Sequence, residues 1–124
     1  MPKRILVIDD EDSVREIVEE MLVLEGYEVT TAPNGRAGLQ LFRNDPTDLI
    51  ITDIFMPEME GLETIRELHR EFPQVKIIAM SGGGESGMLS FLSYAKRFGA
   101  VRTLRKPFSR DELLTNVHDL LAEE

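Results

Sequence analysis

A short apolar run followed by a longer stretch with apolar residues at helical spacing occurs five times along this chain, and few architectures accept that order. The runs are Ile5-Leu6-Val7-Ile8, residues 27–32, Leu49-Ile50-Ile51-Thr52, residues 75–80 and residues 101–104. The first is apolar at every position, as expected of a strand buried on both faces. Arg102 and Arg105 flank the polar side of the fifth, which reads as an edge strand. Between the runs, Val14, Ile17, Val18, Met21 and Leu22 form one stripe of a helix that starts near Asp12 and that Gly26 closes. After the turn Pro33-Asn34-Gly35, a second helix runs to about Arg43, where Asp45-Pro46 ends it. Leu62, Ile65, Leu68 and Phe72 stripe a third, stopped by Pro73; Met88, Phe91, Leu92, Ala95 and Phe98 stripe a fourth. Ser109-Arg110-Asp111-Glu112 has the spacing of a capping box and opens a fifth, carrying Leu113, Val117, Leu120 and Leu121. Five strands alternating with five helices predict an α/β fold: a parallel sheet with helices on both faces. No repeat, linker or low-complexity stretch interrupts residues 1–124, so the chain reads as a single domain with no effector domain attached.

The charge balance excludes some partners. Fourteen Lys and Arg against 23 Asp and Glu leave a net charge of −9, opposite to the cationic surface that nucleic-acid phosphates need. There is no cysteine, hence no disulfide or thiolate metal site. The four apolar residues before Asp9 are too few for a signal-peptide core, and no run reaches membrane length. The expectation is a cytoplasmic chain with no membrane contact. One segment runs against the average: residues 86–110 hold Lys96, Arg97, Arg102, Arg105, Lys106 and Arg110 and no acid. It reads as a solvated face or as a docking face for an acidic partner.

In open parallel sheets, ligands sit beyond the carboxyl ends of the strands. Asp9-Asp10 end the first strand, Asp53 the third and Ser81 the fourth, and Lys106-Pro107 follow the fifth. Any one of these is ordinary at a strand end; all five at these four ends is not. At an effective dielectric of about 20, two carboxylates ~4 Å apart repel by about 4 kcal/mol, so three converging acids call for a cation. Without cysteine, and with His69 and His118 on predicted helices away from these ends, the ligands are oxygens. A hard ion with few protein ligands points to Mg²⁺. Neighbouring residues of a strand face opposite ways, so Asp9 and Asp10 should differ in role, one a direct ligand and the other acting through water. A carboxylate beside such an ion is a nucleophile toward phosphorus. Lys106 and Ser81 would then supply charge and a hydrogen bond to the phosphoryl oxygens.

Ile-Leu-Val-Ile-Asp9-Asp10-Glu11, Asp53-Ile-Phe-Met56-Pro57 with Gly61, Ser81, Gly99-Ala100 and Lys106-Pro107-Phe108 together resemble the motifs of response-regulator receiver domains of the chemotaxis-regulator kind. The resemblance runs in order from about residue 3 to 122. It implies a flavodoxin-like, doubly wound sheet of order 2-1-3-4-5 with five helices. It makes Asp53 the phosphoacceptor, Asp10 the principal Mg²⁺ ligand and Asp9 the secondary one, with the main-chain carbonyl of Phe55 completing the metal site. Ser81 becomes the switch hydroxyl, and a cis bond is expected before Pro107. The implied phosphodonor is a phosphohistidine on a sensor histidine kinase or histidine phosphotransfer protein. The implied role is signalling in a two-component phosphorelay, through protein–protein contacts. Beyond its own phosphorylation and autodephosphorylation, the chain is then not an enzyme.

Two departures from the family pattern bear on output rather than on phosphorylation. Thr103 stands where receivers usually carry a rotating switch aromatic, and the stretch between Ser81 and Lys106 is lengthened, with glycines at its start. A degenerate receiver acting only as an interaction module is therefore the alternative, although no acidic-site residue is missing. A phosphatase of the haloacid-dehalogenase type would need a second Asp two residues after its nucleophile, where Asp53-Ile54-Phe55 has none. A flavodoxin would need a first loop that welcomes anions, and Asp9 to Asp12 would repel one.

Overall fold

Strands β1 (Arg4–Ile8), β2 (Glu28–Ala32), β3 (Leu49–Asp53), β4 (Ile77–Ser81) and β5 (Arg102–Arg105) form one parallel sheet in the order β2-β1-β3-β4-β5. Helices α1 (Asp12–Leu24), α2 (Gly35–Asn44), α3 (Gly61–Glu71), α4 (Met88–Phe98) and α5 (Arg110–Leu121) alternate with them. The coordinates are a computed structural model that describes residues 2–54, 61–82 and 88–122.

Handedness decides which face each helix covers. Parallel crossovers are right-handed, so a connection running one way along the sheet lies on the opposite face from one running back. The step from β1 to β2 goes outward, and the three later steps all go the other way. Accordingly, Val18 and Leu22 of α1 join Leu113, Val117, Leu120 and Leu121 of α5 over Ile5, Val7, Leu49, Ile51, Ile78 and Met80. Leu39 and Phe42 of α2, Ile65 and Leu68 of α3 and Ala95 of α4 cover Leu6, Ile8, Ile50, Ile77 and Ala79 on the other face. Alternate residues of each central strand thus enter two separate cores, which is why those strands read as unbroken apolar runs. Each fully buried Leu or Ile contributes roughly 1.5–3 kcal/mol of transfer free energy.

The element ends follow local chemistry. Gly26 sits at φ 94°. There Gly26 N–H donates to Val23 O and Tyr27 N–H to Leu22 O, the paired bonds of a Schellman motif. Asn34 caps α2 by accepting from Ala37 N–H at 2.8 Å. Ser109 and Glu112 form the full capping box at α5.

The expected strands shift by one or two residues at three places. Val75 N–H donates to Phe72 O, so Val75 belongs to the turn and β4 begins at Ile77. β5 runs Arg102–Arg105 rather than from Val101, which is exposed. β2 begins at Glu28, because Tyr27 N–H is taken by the end of α1. Ile17, expected on the buried stripe of α1, is 53% exposed.

Candidate functional site

The strand order reverses at β1, and the carboxyl ends of β1 and β3 lie side by side there, with Ile8 in register with Thr52. The next residues, Asp9 and Asp53, therefore emerge together. Asp53 is in register with Met80, and Ser81 with Arg105, which carries Lys106 to the same edge. Lys106 N–H donates to Ser81 O at 2.7 Å, tying the last two strand ends together. The peptide between Lys106 and Pro107 is cis, as expected. Adjacent strand ends thus bring Asp9, Asp10, Asp53 and Lys106 together, with Ser81 at the end of the strand between β3 and β5.

Asp9 is fully buried and Asp53 nearly so, while Asp10 is exposed. All three offer carboxylate oxygens within 4.8 Å of one another. Lys106 Nζ lies 2.8 Å from Asp9 Oδ2 and 3.3 Å from Asp53 Oδ2, with Glu11 Oε1 at 3.7 Å. Burial works against the charged ammonium. The hydrogen bond to Asp9, the charges of Asp53 and Asp9 and the hydrogen bond to Asp53 outweigh it, so the Lys106 pKa is raised above its ordinary value. One lysine thus faces two buried carboxylates, and negative charge remains for a cation to neutralise.

Both oxygens of Asp9 are engaged: Oδ1 accepts from Glu11 N–H at 2.9 Å and Oδ2 from Lys106. The Asp10 carboxylate has no hydrogen-bond or ion-pair partner among the described residues. The two neighbours accordingly differ, Asp9 being an internal anchor and Asp10 an open carboxylate. An oxygen-only set with one open, exposed member fits a hard divalent ion that keeps several waters, such as Mg²⁺. Ser81 Oγ is buried with no partner among the described residues. An unpaired buried hydroxyl costs free energy until a ligand oxygen approaches it, so the site is also suited to an oxyanion. Phe55, whose carbonyl was expected to join the metal site, and the glycines after Gly82 lie outside the described residues. Thr103 is half-buried in β5, in register with Ala79 and on the opposite strand face from Leu104.

Three features of the site were missed by sequence reasoning. Gly61 opens α3 so close to the β3 end that a Cβ there would lie 2.1 Å from Asp53 O and 2.3 Å from Ile54 Cα. Arg15 donates to Asp9 O at 2.7 Å; its i,i+3 spacing from Asp12 was the available signal. Finally, an apolar groove of about 410 Å³ opens against Lys106, walled by Val14, Ile17 and Met21 of α1 and by Pro107 and Phe108. That groove accounts for the exposure of Ile17.

The acid-free segment does not give an acid-free surface. Arg102 reaches Asp119 at 3.8 Å, Arg110 reaches Glu25 at 3.1 Å and Lys106 turns inward. Only Lys96, Arg97 and Arg105 pair with no acid among the described residues. Acids distant in sequence fold onto the others, so the basic face is smaller than the sequence suggests.

Comparison with known proteins agrees with this architecture. Residues 5–118 match the response regulator receiver domain family. Among curated proteins, the chain is 37% identical to Regulatory protein AtoC of Escherichia coli over 89% of this chain and 23% of that protein. It is 36% identical to Response regulator MprA of Mycolicibacterium vanbaalenii over 98% of this chain and 51% of that one. The chain thus spans between about a quarter and a half of these relatives. Among solved structures, a CheY-like receiver domain protein from Methanospirillum hungatei superposes with a TM-score of 0.92 at 31% identity, covering 99% of this chain and 96% of that one. Vibrio cholerae chemotaxis protein CheY4 does so with 0.87 at 30%, covering 97% and 99%.

Proposed function

Because the chain belongs to the response regulator receiver domain family of two-component signalling, we propose that Asp53 is its phosphoacceptor and that Asp9, Asp10 and Asp53 hold the Mg²⁺ on which its phosphorylation depends. The observation that carries this reading is the buried Asp53 carboxylate at the strand-order reversal, with Lys106 Nζ at 3.3 Å and the unpartnered Ser81 Oγ on the neighbouring strand.

Each side chain has a distinct task. An Asp53 oxygen attacks the phosphorus of a phosphohistidine; the new P–O bond forms as the P–N bond breaks, and the leaving imidazole takes up a proton. Lys106, held charged by Asp9, faces the phosphoryl oxygens and offsets the negative charge that gathers there. Ser81 Oγ–H donates to one of those oxygens and so gains the partner it lacks. Asp10, whose carboxylate is open, and Asp9, whose oxygens are already hydrogen-bonded, would hold the ion beside Asp53. Bound Mg²⁺ would neutralise charge on the phosphoryl group.

The donor is a sensor histidine kinase or a histidine phosphotransfer protein, and the apolar groove between α1 and Phe108 leads from the surface to Lys106 for it. Output passes through protein–protein contacts. Intact-mass measurement after incubation with acetyl phosphate tests the assignment. Wild type should gain one phosphoryl group only when Mg²⁺ is present, and Asp53→Asn should gain none. Equal labelling of the variant would remove Asp53 from the reaction.

A further inference from the structure

We propose that Arg15 is the positioning residue of the acidic site: its guanidinium pins the Asp9–Asp10 peptide and thereby aims the Asp10 carboxylate at the divalent cation. The proposal rests on the reading of Asp9, Asp10 and Asp53 as a Mg²⁺ site.

Arg15 is the fourth residue of α1. A cation there opposes the helix macrodipole, whose positive end is the N-terminus. Its side chain is nevertheless only 17% exposed. A half-buried guanidinium at the unfavourable end of a helix needs strong acceptors, and Arg15 has two. One arm donates to the main-chain carbonyl of Asp9 at 2.7 Å and the other to Asp12 Oδ1 at 2.5 Å. The fork therefore spans the whole β1–α1 turn.

From the helix side the turn is otherwise held, among the described residues, by the main-chain bond from Arg15 N–H to Glu11 O. Glu11 occupies the N-cap of α1 and makes no side-chain capping bond. The second restraint, on the strand side, is the bond from Glu11 N–H to Asp9 Oδ1 together with Lys106 Nζ, 2.8 Å from Asp9 Oδ2 and 3.7 Å from Glu11 Oε1. Between these two restraints lies Asp10, whose own carboxylate is exposed and tethered to nothing among the described residues. With no tether on the carboxylate itself, where it can reach depends first on where the backbone places the Asp10 Cα. The Asp9 carbonyl and the Asp10 nitrogen and Cα belong to one rigid peptide plane, so a donor on that carbonyl holds the point from which the Asp10 side chain starts.

Positioning and simple charge make opposite predictions. Removing a positive side chain near a cation site should tighten cation binding if charge is all that matters. Removing a residue that orients the ligand should weaken it. Calorimetric titration of the full chain with Mg²⁺ should show about tenfold weaker binding for Arg15→Met. Arg15→Lys should fall between that variant and wild type, because a single ammonium keeps the charge but cannot reproduce the planar fork. The Mg²⁺ concentration giving half-maximal labelling by acetyl phosphate should rise in step, by more than the rate at saturating Mg²⁺ falls. Unchanged or tighter binding in Arg15→Met would overturn the proposal, as would a lowered metal-free melting temperature with wild-type affinity. Should Arg15→Met fail to fold, wild-type affinity in Arg15→Lys would overturn it equally. A wild-type chain that takes up no Mg²⁺ would instead refute the cation reading itself, and the proposal with it.

Discussion

Asp9 and Asp10 are adjacent and chemically identical, yet they meet different surroundings. Asp9 is enclosed, with both oxygens hydrogen-bonded, whereas Asp10 faces solvent beside the same cluster. In the metal-free protein Asp10 repels the carboxylates of Asp9 and Asp53, which share Lys106 as their compensating charge. Replacing Asp10 by Asn should therefore raise the metal-free melting temperature by a few degrees, because like charges within about 5 Å oppose folding. The same change should weaken Mg²⁺ binding by at least tenfold. Calorimetry with and without Mg²⁺ reads both effects, and unchanged affinity would take Asp10 out of direct contact with the ion.

At the scale of elements, two glycines let helices approach strands, and the atoms they face differ. A Cβ on Gly61 would strike main-chain atoms of Asp53 and Ile54, which cannot move without shifting the end of β3. A Cβ on Gly38 would strike Ile8 at 2.4 Å on Cδ1 and 2.7 Å on Cγ1, side-chain atoms of a buried residue rather than main chain. Overpacking a tight contact costs about 1–3 kcal/mol, while Ala in place of Gly inside a helix returns about 1 kcal/mol. Gly61→Ala, at the first residue of α3 where that return does not apply, should thus lose about 2–3 kcal/mol in urea denaturation and slow phosphorylation, since it displaces Asp53. Gly38→Ala, inside α2, should lose about 1 kcal/mol. A reversed ranking would mean that α3 is free to move away from β3.

Across the whole molecule, the sheet sets a gradient of stability. β1, β3 and β4 are paired on both sides and buried on both faces, whereas β2 and β5 are edges with exposed or half-buried positions. Amide hydrogen exchange should find the slowest sites in the central strands, opening only with global unfolding, and faster exchange in β2 and β5 through partial opening. Equal protection in β5 and β3 would contradict this order. The candidate site residues straddle the gradient: Asp53 and Ser81 stand on central strands, and Lys106 follows an edge strand. The less stable edge therefore carries the charge that faces the most rigid part of the site.

Periodicity and strand-end chemistry alone made the five strands, the five helices and the set Asp9, Asp10, Asp53, Ser81 and Lys106 legible, because burial on two faces leaves unbroken apolar runs and turns leave Gly, Pro and cap residues. The 2-1-3-4-5 order was readable only through resemblance to a family, and the geometry of crossovers then accounts for it. What local sequence could not contain is anything set by a distant partner. Arg102 and Arg110 lie in an acid-free stretch but meet Asp119 and Glu25. Tyr27 leaves β2 because Leu22 O takes its N–H. Ile17 fits the stripe of α1 by spacing, yet it borders a groove whose other wall is Pro107 and Phe108. The difference between Asp9 and Asp10 depends on Lys106, nearly a hundred residues away, and the need for glycine at position 61 depends on the backbone of Asp53. Propensity and periodicity act over a few residues and are written in the chain; charge pairing, close approach and groove walls act through space and exist only once the sheet has closed these distances.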